Sequence, residues 1–140
     1  MTQTRIYLPL SPADVAALVG SGEVSPSSAF AVTPALRSDL PTADEEEREY
    51  AAMGDAAASA AEAWGGAGGG KRVVAAADVD AAAVLVSPAR PGEARSLVRV
   101  QGPVPLRRIV SLHIDEKPGG DGDLLWYDVT ELAEVARQLR

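Results

Sequence analysis

The chain has 140 residues, 46% of them hydrophobic and 24% charged, with a formal net charge of −7 and a sequence pI near 4.6. The length suits a single domain large enough to bury an ordinary core, and the acidic balance argues against nucleic-acid or membrane-surface binding, because phosphates and anionic lipids would repel it. The absence of cysteine removes disulfides, thiolate chemistry and cysteine-based metal sites.

No window approaches the roughly 18 apolar residues of a membrane span, and MTQTRIYLPL lacks the apolar run and cleavage site of a signal peptide. A soluble cytoplasmic protein is therefore expected. Arginine outnumbers lysine eleven to two, a bias that fits a GC-rich bacterial genome.

Taken in chain order, residues 4–8 (TRIYL) read as a short strand stopped by Pro9. Ser11 is then placed as an N-cap, with Pro12 at the first helical position, Asp14 at the third, and Leu10 and Val15 spaced as a hydrophobic staple. A helix over 12–19 follows, ending at Gly20 or Gly22 and burying Val15, Leu18 and Val19. After the SPSS loop at 25–28, the apolar run AFAVT (29–33), closed by Pro34, predicts a second, interior strand. ALRSDLP is read as a turn.

From Pro41 to Trp64 the chain predicts one long amphipathic helix. Thr42 and Glu45 have capping-box spacing, and Asp44, Glu45, Glu46 and Glu47 put negative charge at the positive end of the helix dipole. Tyr50, Met53, Ala57, Ala60 and Trp64 fall on one stripe at helical spacing. The stripe is expected to lie across a sheet, anchored by Tyr50 and Met53 near one end and Trp64 at the other. Glu46 and Glu49 flank it beside Tyr50 and form a candidate carboxylate pair, although an acidic first turn is also the ordinary way to begin a helix.

Next comes GGAGGGK. Gly65, Gly70 and Lys71 match part of a phosphate-binding loop, but Arg72 stands where the magnesium-binding Ser or Thr belongs. The order of elements is also reversed, with a helix before the loop and a strand after it, so a flexible linker over 65–71 is expected. Residues 72–78 form a third strand, DVD a turn, and 81–87 a further apolar strand. ARSLVRVQ (94–101) alternates as a half-buried strand with Arg95 and Arg99 on its polar face. GPVPL is an extended connector unsuited to the middle of a ladder.

In RRIVSLHID, simple alternation puts Val110, Leu112 and Ile114 on one face and Ile109, Ser111, His113 and Asp115 on the other. The second face carries the only histidine, which suggests a nucleophilic triad. However, side chains two apart on a strand are separated by about 6.8 Å and are not expected to converge on one imidazole. His113 alone has a pKa suited to acid–base work. The loop DEKPGGDGD lacks the ligand offsets of an EF-hand. LLWY (124–127) is the last strand, and Asp128 and Glu131 open a terminal helix that buries Leu132, Val135 and Leu139, with Arg137 and Arg140 at its negative end.

Charge is unevenly spread. Residues 39–62 hold eight acids against Arg48, whereas residues 71–114 hold seven bases against three acids. An acidic helix surface opposed to an arginine-bearing sheet or loop surface is expected.

The blocks RIYLPL, AFAVTPAL, DEEEREYAAMGDAA, RVVAAADV, GPVPLRRIVSLHID and LLWYDVTEL, in this order, resemble an uncharacterised actinobacterial family, a domain of unknown function. Relatives often carry a longer acidic insertion where this chain has residues 115–124. The resemblance implies no catalytic residue. The succession of elements, with an R-x-Y first strand and a second strand ending in Thr-Pro, is also similar to ADP-ribosyltransferase-like folds. That likeness implies a split sheet binding NAD, with Arg5 and Thr33 near two of the ligand-contacting places.

Together these features predict one α+β domain with a mixed, largely antiparallel sheet of five to seven strands and helices 12–19, 42–64 and 129–139 packed on it. The leading functional expectation is a non-enzymatic protein that binds another protein, or a second copy of itself, through Glu46, Glu49 and Tyr50 or through its arginine strands. The alternative is an enzyme or sensor that holds a small anion or nucleotide near Arg5, Arg95, Arg99, Arg107 and Arg108, and His113 is a further candidate binding residue. No cofactor and no metal is expected.

Overall fold

A computed structural model describes residues 2–26, 28–64 (Trp64 by its backbone only), 69–120 and 122–139. Its central strand is β1 (Gln3–Pro9), which pairs on one side with β3 (Ala29–Ala31) and on the other with β4 (Val73–Asp80). Beyond β3 lie β6 (Leu97–Val100) and the short edge strand β5 (Val84–Leu85). Beyond β4 lie β8 (Ile109–Ile114) and the edge strand β9 (Leu125–Asp128). The result is a seven-stranded sheet in the order β5-β6-β3-β1-β4-β8-β9, antiparallel at every pairing. A separate ribbon joins β2 (Glu23–Val24) to β7 (Val104–Pro105). This ribbon turns part of the GPVPL connector into a two-residue strand. The fold is the expected single α+β domain.

One face of the sheet is closed by α1 (Pro12–Ser21) and α4 (Leu132–Gln138). Ile6, Leu8, Leu112 and Ile114 of the sheet meet Val15 and Leu18 of α1 and Leu132 and Val135 of α4 in the larger core. α1 begins as read: the Ser11 hydroxyl accepts from the Asp14 amide, the Asp14 carboxylate accepts from the Ser11 amide, and Gly22 closes the helix at φ +79°. Val19, expected to be buried, is 56% exposed, because α1 turns only its Val15–Leu18 line to the sheet. At the other end of the chain, Asp128 and Glu131 do form a capping box, but it opens a 3-10 turn over Val129–Glu131 that leads into α4.

The opposite face carries α3 (Glu45–Trp64), laid over β1, β3 and β4. Two expectations are corrected here. The helix starts after Asp44, whose carboxylate accepts from the Glu47 amide at 2.8 Å, so Asp44 rather than Thr42 caps it. The buried line is Ala52, Ala56, Ala57 and Ala60. Alanines let the backbone sit close to the sheet, and this rotates Tyr50 outward, where it is 61% exposed. The Trp64 side chain and Gly65, Gly66, Ala67 and Gly68 of the glycine-rich stretch lie outside the described residues, as do Ser27, Asp121 and Arg140.

The stretch read as a turn before α3 contains α2 (Pro34–Asp39), capped by the Thr33 hydroxyl, which accepts from the Leu36 amide. Arg37 of α2 meets Glu45 of α3 through two hydrogen bonds, and Asp39 meets Arg95, so part of the uneven charge is neutralised across elements. DVD is not a turn either. Asp78, Val79 and Asp80 continue β4, in register with Arg5, Thr4 and Gln3, and the chain turns through a 3-10 segment over Ala81–Ala83 before β5.

A β-bulge changes the facing of β8. The register passes from Ala76↔Ser111 to Ala77↔Ile109, leaving Val110 unpaired and 38% exposed. An extra residue reverses alternation beyond it. Ile109 therefore joins Leu112 and Ile114 in the larger core, contrary to the simple alternation.

Candidate functional site

On the α3 side of the sheet the cross-strand rows put large polar groups around a floor of small ones. Tyr7, Ala76 and Ser111 are neighbours on β1, β4 and β8, as are Val74, His113 and Trp126 on β4, β8 and β9, while Arg5 stands opposite Asp78. Because α3 covers β3, β1 and β4, its flank and the β8–β9 wing enclose a cleft of about 260 Å³. Glu46, Glu49, Tyr50 and Met53, spaced i, i+3, i+4 and i+7, form the helical wall, and Ala76 and Ser111 leave room beneath them. The hollow continues past Tyr50 and Met53 toward Arg72 and Asp123, and past Arg5 and Glu49 toward Arg37 and Asp78.

The Ser111 hydroxyl and His113 Nε2 lie 2.9 Å apart. The expectation that side chains two apart on β8 would not converge is thus overturned for this pair, because the ring leans along the strand toward its neighbour. It holds for Asp115, which is buried and hydrogen-bonded to Arg72. Two members of the imagined triad meet, and the third is committed elsewhere.

The charges around the pair are ordered. Arg5 donates to Asp78 through Nε at 2.6 Å and Nη2 at 3.0 Å, which raises its pKa and lowers that of Asp78. Burial, reinforced by the Glu49 charge, pushes the Tyr7 phenol up to about 12, so it remains a protonated donor at neutral pH. Burial and then the Arg5 charge hold His113 below its ordinary 6.5, which keeps the imidazole neutral. At the rim, Tyr50 donates its hydroxyl proton to Asp123 at 2.8 Å, and this bond raises its pKa. Trp126 is 62% exposed.

The profile of a family of unknown function, DUF6912, matches residues 4–120. The chain belongs to this family. The matched segment of the DUF6912 chain runs from β1 through β8 into the following loop, and it contains every cleft residue named above except Trp126 and the rim's Asp123. No curated protein matches the chain, and no solved structure does.

Of the residues singled out in the sequence, Arg5, Glu46, Glu49, Tyr50 and His113 come together in the cleft. Arg95, Arg99, Arg107 and Arg108 do not join them. Arg95 is held by Asp39, Arg99 lies on β6 beside the β5 edge, and Arg107 and Arg108 sit in the 3-10 turn before β8. The sheet is continuous, without the split implied by the ADP-ribosyltransferase likeness, and Thr33 is occupied as the cap of α2. In the sequence Tyr7 and Trp126 stand out only as strand formers. The R-x-Y spacing already puts Arg5 and Tyr7 on one face, but which residues oppose them depends on pairing with β4 and β8. Among the described residues no group of three or more His, Cys, Asp or Glu side chains is placed to hold a metal ion, and no helix is long and apolar enough to cross a membrane.

A depressed histidine pKa ties stability to pH. The folded value lies below the unfolded one, so protonation favours the unfolded chain. The contribution of neutral His113 is fully present above about pH 6.5 and is lost as the pH falls through the folded value. Acidification from pH 7 to 5 is expected to lower the melting temperature more in the wild type than in His113→Gln. Identical slopes in the two proteins would dismiss His113 as a source of the dependence.

Proposed function

We propose that this protein, in the cytoplasm of an actinobacterium, binds a small polar organic molecule in the cleft between α3 and the β8–β9 wing. The observation that supports the reading is the convergence of Tyr7, Glu46, Glu49, Ser111 and His113 from three elements on one hollow floored by Ala76. Each group has a defined role available to it. Tyr7 donates, the carboxylates accept, and the neutral imidazole offers its Nδ1 as donor or acceptor according to the tautomer set by Ser111. We assign binding rather than catalysis, because Asp115 is engaged by Arg72 and no carboxylate among the described residues is hydrogen-bonded to His113.

A thermal-shift screen of the pure protein against sugars, amino acids, amines, nucleosides and NAD tests the proposal. A ligand present at about 100 times its dissociation constant stabilises by about 2.7 kcal/mol, several degrees for a domain of this size. A saturable shift that disappears in Tyr7→Phe and His113→Gln is expected. A shift retained by both variants would place the ligand elsewhere and overturn the reading.

A protein partner, or a second copy of the chain, is the other reading, favoured by the exposure of Leu125 and Trp126 on the edge strand β9. An edge strand offers unpaired main-chain groups to another strand. The same variants separate the two readings, since a partner docked on β9 does not depend on the Tyr7 hydroxyl inside the cleft.

A further inference from the structure

We infer that the cleft takes a small organic cation, an amine or guanidinium group on a short carbon frame, seated between the Glu46 and Glu49 carboxylates and the Tyr50 and Trp126 rings. This rests on the binding reading above and names its ligand class. Charge is the first argument. Among the described residues that line the central cleft, as distinct from its extensions toward Arg37 and Arg72, the one permanent cation is Arg5, and both carboxylate oxygens of Asp78 already engage it. The Glu46 and Glu49 carboxylates make no hydrogen bond and no ion pair within 4.0 Å among the described residues, and Glu49 meets the Arg5 charge only at longer range. An anion entering here would meet two carboxylates in excess of the Asp78-paired arginine, whereas a cation would be attracted by them.

Shape is the second argument. Tyr50 and Trp126 stand at the mouth from opposite walls, 61% and 62% exposed. Large rings left open to water beside carboxylates suit a cation, which is attracted to the ring face as well as to the charge. The Tyr50 ring is not idle at the surface, since Asp123 holds its hydroxyl and fixes its orientation. A hollow of about 260 Å³ lies at the small end of ligand sites, which matches a ligand of amino-acid size.

The test is calorimetric titration of the full chain with agmatine, putrescine, choline and guanidinium, set against AMP, succinate and inorganic phosphate as anions and ribose as a neutral probe. At least one cation is expected to bind saturably, more weakly as salt rises. Glu49→Gln and Glu46→Gln should each weaken that binding by about tenfold or more, the scale of one charge-assisted bond, and Trp126→Ala by roughly threefold to thirtyfold. Melting temperatures without ligand verify that the three variants are folded. If ribose or an anion binds, the cations do not, and the binding is lost in His113→Gln, the cleft reading stands and the cation inference falls. A cation bound equally well by Glu46→Gln and Glu49→Gln also overturns it. If no probe of any charge binds, both fall together.

Discussion

Replacing Asp115 with alanine is expected to lower the unfolding free energy by about 3–5 kcal/mol, the range for breaking a buried ion pair from one side. The Asp115 and Arg72 side chains are only 3% and 9% exposed. One carboxylate oxygen accepts from the Arg72 amide at 2.7 Å and from its Nε at 2.9 Å, and the other accepts from Nη2 at 2.7 Å. Nη2 also donates to the Gly122 carbonyl, so the pair ties the ends of β4 and β8 to the loop that leads into β9. The loop closes tightly over it: a Cβ on Gly120 would come within 2.9 Å of Asp115 Oδ1. Truncation leaves a buried amide without its acceptor and a buried guanidinium without this counter-charge. Urea unfolding should show a lower midpoint at unchanged slope. The paired change Arg72→Met with Asp115→Leu should recover much of the loss, because the desolvation of both charges disappears with them. A cost below about 1 kcal/mol for the alanine variant would mean that water replaces the carboxylate and that the pair does not hold the loop.

The same residues show what a sequence can and cannot disclose. Ser11, Pro12 and Asp14 announce α1 because capping is local chemistry: every group involved lies within three residues. Thr33 and Pro34 carry the same kind of signal for α2, a helix of only six residues. Asp78 and Asp80 look like turn residues since aspartate is poor in strands, and the reason Asp78 continues β4 is Arg5, 73 positions earlier. In α3 the large side chains Tyr50 and Met53 dominate any reading of periodicity, yet alanines carry the buried line because a close helix–sheet approach has no space for more. The bulge at Val110 leaves no mark in the alternation of β8, so simple alternation groups Val110 with Leu112 and Ile114 in place of Ile109.

The site was legible to the extent that its members are chemically conspicuous. Glu46, Glu49, Tyr50 and His113 stand out in the sequence as carboxylates, an aromatic and a lone histidine, and α3 and β8 bring them together. The surface arginines are equally conspicuous, and the fold disperses them over β6, the stretch before it and the turn before β8. Tyr7 and Trp126 join the site only through register: Tyr7 faces Ser111 across Ala76, and Trp126 faces His113. Long-range pairing decides which conspicuous residues become neighbours, and no local pattern encodes it.

Ile6→Ala probes that pairing from beneath the site. Ile6 is fully buried at the middle of β1, and its cross-strand neighbours are Ala31 on β3 and Ala77 on β4. Neither methyl group can reach into the space an isoleucine leaves, while Leu18 of α1 and Val135 of α4 are carried on helices that cannot follow individually. The cavity should therefore persist, and the cost should fall in the upper half of the roughly 2–5 kcal/mol seen for such truncations, against about 0.5–1.5 kcal/mol for Ile6→Val. Urea unfolding measures both. Adding Ala77→Val to the truncated protein should restore part of the stability, although alone it overfills the core at about 1–3 kcal/mol, and the double-mutant cycle should give a coupling of opposite sign to the single costs. A cost below about 1.5 kcal/mol for the alanine variant would show that the layers collapse onto the gap. Arg5 and Tyr7 flank Ile6 but point to the other face, so molecules that remain folded should keep the cleft and bind its ligand with unchanged affinity. Loss of binding in step with Ile6→Ala, beyond the fraction unfolded, would mean that the shape of the cleft is set by the opposite core rather than by α3.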